Sequence, residues 1–174
     1  MDEFKAIFLT KGKFTIVDFE DFKWLSQWKW LYNGKCASRR LHISGSYRKH
    51  NLKSKHILMH RVILEKHNLL RNGLETDHIN RNALDNRKCN LRMVTHKENS
   101  INRGLSKNNT SGFKGVTFDK NTTNKYKKWK ASIQVDSKFV NIGRFLTKEE
   151  AAFAYNKMAK ENFKEYYYLN NIGG

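Results

Sequence analysis

Leu74-Glu75-Thr76-Asp77-His78-Ile79-Asn80, followed after an asparagine-rich run by Asn90-Leu91-Arg92-Met93-Val94-Thr95-His96-Lys97-Glu98-Asn99, is the stretch on which the fold turns. Leu74–His78 and Leu91–Val94 each read as a short strand. Asn80, Asn82, Asp85 and Asn86 lie between them and predict a loop, because Asn and Asp side chains bond their own backbone and favour turns. Thr95 and Glu98 have the T-x-x-E spacing of a capping box, so a helix should begin at Thr95, with Asn99 just inside it. The order is strand, loop, strand, helix: a compact ββα unit.

The residue types of this unit suit two readings. In the chemical one, Asp77 supplies a hard oxygen ligand for a divalent ion. His78, its neighbour, takes a proton from an attacking water. On a regular strand the two would face opposite ways, but at a strand end the backbone can aim both into one cleft. Asn99 adds a neutral oxygen from the helix. In the bland reading, Asp77-His78 is a capped turn and the asparagines are loop chemistry.

Upstream of the unit, Arg61–His67 reads as a helix that Asn72-Gly73 should stop. Before it lies a basic run, Lys35 to Arg61, with eight Lys or Arg and no acid. Strand-like pieces fall at Cys36–Ile43 and His56–Met59. His42, His50, His56 and His60 fit no metal-ligand spacing, so this run is expected to face a polyanion. His60 and His96 are expected to serve structure or phosphate positioning. Nearer the start, Ala6–Val17 alternates loosely and predicts two strands about Lys11-Gly12-Lys13. Asp18 offers an N-cap for a helix carrying Phe19, Phe22, Leu25 and Trp28, and Trp24, Trp28 and Trp30 are expected in the core.

Downstream, the polar segment 103–111 reads as a basic linker, which divides the chain into domains at 1–102 and 112–174. Arg103 to Lys130 holds eight more cations, with Asp119 the only acid. Beyond the linker the apolar pattern changes to period two. Phe113–Phe118, Trp129–Val135 and Phe139–Phe145 predict three strands, with turns at Asn121–Lys125 and Asp136-Ser137. Thr147 and Glu150 form a second capping pair, opening a helix from Lys148 to about Glu161. Its Ala151, Ala152, Ala154, Tyr155, Met158 and Ala159 are expected to supply a small-residue face for packing close to a sheet. Tyr166–Leu169 is expected as a closing strand-like piece.

The whole chain has 174 residues, 34 Lys+Arg against 16 Asp+Glu, and a formal charge of +18. So large a surplus on so short a chain points to a polyanionic partner and to binding that weakens steeply with salt. No apolar run reaches the length of a membrane span, and the N-terminus lacks a signal-peptide pattern. Two cysteines, Cys36 and Cys89, cannot build a disulfide framework or a four-ligand zinc site, so a reducing, intracellular setting is expected.

His60-Arg61-Val62-Ile63, Asp77-His78-Ile79-Asn80-Arg81-Asn82, Asp85-Asn86, Asn90-Leu91-Arg92-Met93-Val94-Thr95 and Glu98-Asn99, kept in order over some forty residues, resemble an HNH nuclease of the phage homing-endonuclease type. The resemblance implies the ββα-metal fold. It makes Asp77 and Asn99 metal ligands, His78 the general base, and Asn90 the residue that pins the loop so that His78 is oriented. It implies Mg²⁺ or Mn²⁺ as cofactor. No CxxC pair supports a structural zinc.

The C-terminal segment is similar to an AP2 DNA-binding domain through Phe113-Lys114-Gly115-Val116, Trp129-Lys130-Ala131-Ser132-Ile133, Asn141-Ile142-Gly143-Arg144-Phe145 and Thr147-Lys148-Glu149-Glu150-Ala151-Ala152-Phe153-Ala154-Tyr155. By that resemblance the outward sheet residues Lys114, Thr117, Lys130, Ser132, Gln134 and Asn141 contact DNA. Arg61, Arg81, Arg92, Arg103, Lys107 and Lys128 complete the expected contact set. The fold class expected is α+β: a ββα-metal HNH module with a β-rich N-terminal extension, then a three-stranded antiparallel sheet plus helix. The function expected is site-directed cleavage of double-stranded DNA, nicking as the elementary step, in the cytoplasm of a bacterial host, with no membrane and no obligate protein partner. The alternative is a non-catalytic AP2-type regulator with a decayed HNH unit.

Overall fold

The computed structural model describes residues 3–42 and 54–173. Ile43, Arg48, Lys49, His50 and Lys53 lie outside them. The chain divides into two compact units, Met1–His96 and Lys97–Gly174.

In the first unit, β1 (Phe4–Phe8) and β2 (Phe14–Asp18) form an antiparallel hairpin. Lys11 and Gly12, both at positive φ (61° and 62°), make its turn. The helix α1 (Phe19–Leu25) follows directly. Asp18 stands at its N-cap, but the carboxylate does not cap: Oδ2 accepts instead from the Lys88 backbone N–H at 2.8 Å. Trp28 lies beyond the helix end rather than in it. The three tryptophans pack edge to face, Trp24 on Trp28 and Trp28 on Trp30, and Trp30 is buried with Nε1 donating to the Leu25 carbonyl.

A three-stranded sheet of β3 (Leu31–Tyr32), β4 (Ala37–His42) and β5 (Ser54–Leu58) leads into α2 (Met59–Lys66). This helix stops well before Asn72-Gly73, because Asn68 takes a positive φ of 57° one residue past the C-cap His67. Asparagine adopts that conformation at little cost, and so ends helices as glycine does. The apolar side of α2 (Met59, Ile63 and Leu64) is buried in one core with Ile7, Val17 and Leu25 of the N-terminal elements. Burying such side chains is worth about 1.5–3 kcal/mol each relative to exposure. The N-terminal extension is therefore built into the unit. The unit ends with the hairpin β6 (Glu75–His78) and β7 (Leu91–Val94), in register Asp77 opposite Arg92 and His78 opposite Leu91.

The second unit opens with α3 (His96–Asn102), whose first residue falls at the boundary. The sequence places the division at the polar run 103–111, whereas the boundary between the compact units falls a helix earlier. The cause is local to the second unit. Ile101 packs against the cluster of Ile133, Tyr155, Ala159 and Phe163. The Lys114 ammonium donates to the carbonyls of Ile101 and Arg103 at 2.6 and 2.7 Å, closing the C-terminal end of α3. Three strands follow, β8 (Val116–Phe118), β9 (Trp129–Val135) and β10 (Lys138–Phe145), in the antiparallel order β10-β9-β8. Asp136 and Ser137 join β9 to β10 with positive φ at both positions, the two-residue turn that matches the twist of a hairpin.

The long helix α4 (Lys148–Phe163) lies on this sheet, with Ala151, Ala152 and Ala159 fully buried. It is capped as its spacing predicts. The Glu150 N–H donates to Thr147 Oγ1 at 3.1 Å, and Glu150 Oε2 accepts from the Leu146 N–H at 3.1 Å. The expected closing strand at Tyr166–Leu169 does not form. A 3₁₀ turn at Lys164–Tyr166 and irregular backbone take its place, since β8 and β10 close the sheet without that segment.

Candidate active site

Asp77 and His78 are adjacent on β6, yet both are buried, at 7% and 8% exposure. Each side of the strand is covered by a different neighbour. The Asp77 carboxylate meets Arg92 across the hairpin, where Nε and Nη2 both donate to Oδ2 at 2.9 and 2.8 Å. Two bonds of this kind orient a carboxylate strongly. His78 lies against His60, ring edge to ring face at 5.2 Å, and its Nε2 is 3.1 Å from Asn86 Oδ1.

The electrostatics favour neutral imidazoles. Burial lowers His78 below its ordinary value of 6.5, although the Asn86 hydrogen bond and the nearby Asp77 and Asp85 carboxylates oppose that shift. His60 is lowered further, to about 3, first by burial and then by His78, Arg61 and Lys35. Its Nδ1 is buried without a hydrogen-bond partner among the described residues. The sign of the pH dependence follows. Since the folded value lies below the unfolded one, the native state binds fewer protons. The contribution of His60 is intact above pH 6.5 and falls by up to about 1.4 kcal/mol per pH unit as pH drops towards 3. Urea unfolding between pH 7 and pH 5 should show this loss, and His60→Phe should flatten it.

The loop after His78 is held by its asparagines. Asn90 is buried and grips it at both ends: Oδ1 accepts from the Asn80 N–H at 2.9 Å, and Nδ2 donates to the Asp85 carbonyl at 2.8 Å. The residue that touches the imidazole is a different one, Asn86. Its Nδ2 lies 2.7 Å from Thr15 Oγ1 of β2, and the Thr15 hydroxyl lies 2.7 Å from the Leu84 carbonyl oxygen. Asp85 is clamped by Arg87 at 2.8 and 2.7 Å and by Asn80 at 2.8 Å, and the Arg87 bond holds its carboxyl below the ordinary range. Neither Asn86 nor Thr15 stood out in the sequence as a site residue. The signal available was the Asp85-Asn86 pair inside the motif.

The remaining candidates are distributed between the units. Asn99 is half-buried on α3, in the second unit. Arg61 is exposed on α2, and Arg81 is exposed at positive φ just after β6. Arg92 is engaged with Asp77 and Lys114 with the end of α3. Arg103 and Lys107 are exposed. The sheet register pairs Thr117 with Lys130, Lys130 with Arg144, Ser132 with Asn141, and Gln134 with Phe139. Directly opposed residues share a face, so these form one surface opposite Ala131 and Ile133, and alternation adds Lys128. Arg144 and Phe139 join this surface without having been expected. Arg144 is bonded to Asp119 at 2.6 Å.

The donors near β6 can be tested against a divalent ion by their chemistry. Asp77 is a buried carboxylate, and its Oδ2 is held by the Arg92 guanidinium. A carboxylate is the kind of oxygen donor that suits a hard ion such as Mg²⁺, which would share it with Arg92. A second group, Glu20, Asp21 and His67, is charge-balanced by Lys66 on Asp21 and Lys88 on Glu20 and reads as a structural ion-pair cluster.

Residues 58–101 match the family described as HNH endonuclease. The chain is also 32% identical over 162 residues to an uncharacterized HNH endonuclease of Acanthamoeba polyphaga mimivirus, covering 93% of this chain and 77% of that protein. No solved structure matches it.

Proposed function

The chain belongs to the HNH endonuclease family, and from that premise we propose that it is a site-directed, homing-type nuclease that nicks double-stranded DNA with one divalent cation. The observation that carries the reading is the pairing on β6 of an oriented, buried carboxylate with a neutral, hydrogen-bonded imidazole. A neutral imidazole is the form able to accept a proton.

Asp77 would hold the ion. Asn99, the second oxygen donor that the resemblance implies, belongs to the other unit. When bound, such an ion supplies charge stabilisation for the phosphoryl oxygens and the leaving 3′ oxygen. His78 removes a proton from water as the water oxygen attacks phosphorus, and the bond to the 3′ oxygen breaks. Asn90 and Asn86 keep the imidazole and its loop in place during that step. The AP2-like sheet of the second unit offers Thr117, Lys130, Ser132, Gln134 and Asn141 as the surface for duplex binding. Two observations support that role: their common face and the charge surplus of the chain.

The test is plasmid nicking. Supercoiled DNA incubated with the protein and Mg²⁺ should convert to the open-circular form, and chelator should abolish the conversion. Retention of duplex by gel shift without any nicking, across Mg²⁺ and Mn²⁺ and a panel of plasmids, would leave a DNA-binding protein and remove the nuclease reading.

A further inference from the structure

We propose that the N-terminal hairpin belongs to the catalytic apparatus: Thr15, acting through Asn86, holds His78 in the tautomer that carries its proton on Nε2. The inference rests on His78 being the general base, and it adds a positioning residue from outside the 58–101 motif.

The sense of each hydrogen bond follows from the end of the chain of contacts that allows only one. The Leu84 carbonyl oxygen can only accept, so the Thr15 hydroxyl must donate to it. A hydroxyl has one hydrogen. Thr15 Oγ1 is therefore an acceptor towards Asn86, and the Asn86 atom facing it must be the amide nitrogen, Nδ2. That choice turns the Asn86 carbonyl oxygen towards His78. An oxygen there requires hydrogen on Nε2. In a neutral imidazole the lone pair is then on Nδ1.

The opposite amide orientation is costly. It would set an amide oxygen against a threonine oxygen with no hydrogen left to give. Thr15 is fully buried and Asn86 is 1% exposed, so water does not relieve the mismatch. Backbone bonds hold the relay in place: Ile16 N–H to the Leu84 carbonyl at 2.9 Å, and Asn86 N–H to the Ile16 carbonyl at 2.8 Å. The edge of β2 thus runs beside the catalytic loop as a third strand would, through a parallel bridge between Ile16 and Asp85.

Thr15→Val removes the hydroxyl at nearly constant volume, and Thr15→Ser keeps it. In ¹⁵N-labelled protein, two-dimensional spectra of the His78 ring should show the Nε2–H form alone in the wild type, both tautomers in Thr15→Val, and the Nε2–H form again in Thr15→Ser. Nicking with Mg²⁺ should fall by roughly 10–100-fold in Thr15→Val, the range seen when the outer partner of an oriented imidazole is lost, with duplex retention unchanged. Wild-type nicking and a single tautomer in Thr15→Val would overturn the proposal. Should that variant not fold, the wild-type spectrum decides alone, since a His78 protonated on Nδ1 contradicts the relay. A wild type that shows the Nε2–H form yet nicks nothing would fail the nuclease reading and leave the relay standing.

Discussion

His78→Ala is expected to slow phosphodiester cleavage by about 10²–10⁴-fold, the usual contribution of a positioned general base, while duplex DNA is still retained in a gel shift. Among the described residues, this imidazole is the buried proton acceptor beside Asp77 that a hydrogen bond also orients. Asp77→Asn should lose cleavage to a similar degree for a different reason. It keeps the shape of the side chain but removes the charge that an ion would meet, so the Mg²⁺ concentration for half-maximal nicking should rise, as it should not in His78→Ala. The amide is preferable to Asp77→Ala, which would take the carboxylate away from the largely buried Arg92 guanidinium and cost about 3 kcal/mol of stability. Open-circle formation from supercoiled plasmid, followed over a Mg²⁺ series, measures both effects. Unchanged nicking in both variants would dismiss Asp77 and His78 as the site.

Gly115→Ala should destabilise the second unit by about 3 kcal/mol or more. Gly115 precedes β8 at φ +73°, a backbone conformation that alanine enters only at a cost. The added methyl would also run into the Tyr155 ring and come within 2.6 Å of the Ser132 carbonyl. Tyr155 is buried in the core of that unit, so the ring has nowhere to swing. Gly112 is the control. Its φ is +80°, but a Cβ there meets nothing within 4 Å, so Gly112→Ala should cost only the conformational contribution, about 1 kcal/mol. Urea unfolding of the full chain distinguishes the two substitutions. Equal midpoints for them would refute the packing argument.

Much of the fold could be read from local rules. The Thr147–Glu150 cap, the Asp136-Ser137 turn and the alternation of Ala131 and Ile133 with Ser132 and Gln134 are decided by residues a few positions apart. The ββ pair of the motif is equally local. What escaped was decided by distant partners. Asn86 and Asn90 look alike in a loop of asparagines, and only Thr15, 71 residues from Asn86, shows which of them faces the imidazole. Asp18 has the look of a helix cap, but the Lys88 N–H, distant in sequence, claims its carboxylate. Arg92 read as a cation for phosphate, and the register of one hairpin turned it towards Asp77. Helix α2 ended on Asn68 because an asparagine in the left-handed region acted before the more obvious glycine.

The attachment of α3 limits how this chain can be rearranged. Two halves of a chain look interchangeable when the seam between them is a polar tether, since either could be traded for a homologue's by joining within 103–111. The helix N-terminal to that seam draws its apolar neighbours Ile133, Tyr155 and Phe163, and its terminal lysine, from residues C-terminal to it. A chimera spliced at the tether would inherit α3 with a foreign floor beneath it. Workable grafts should instead join near His96, so that a new second unit arrives with a matching version of the helix that bears Asn99.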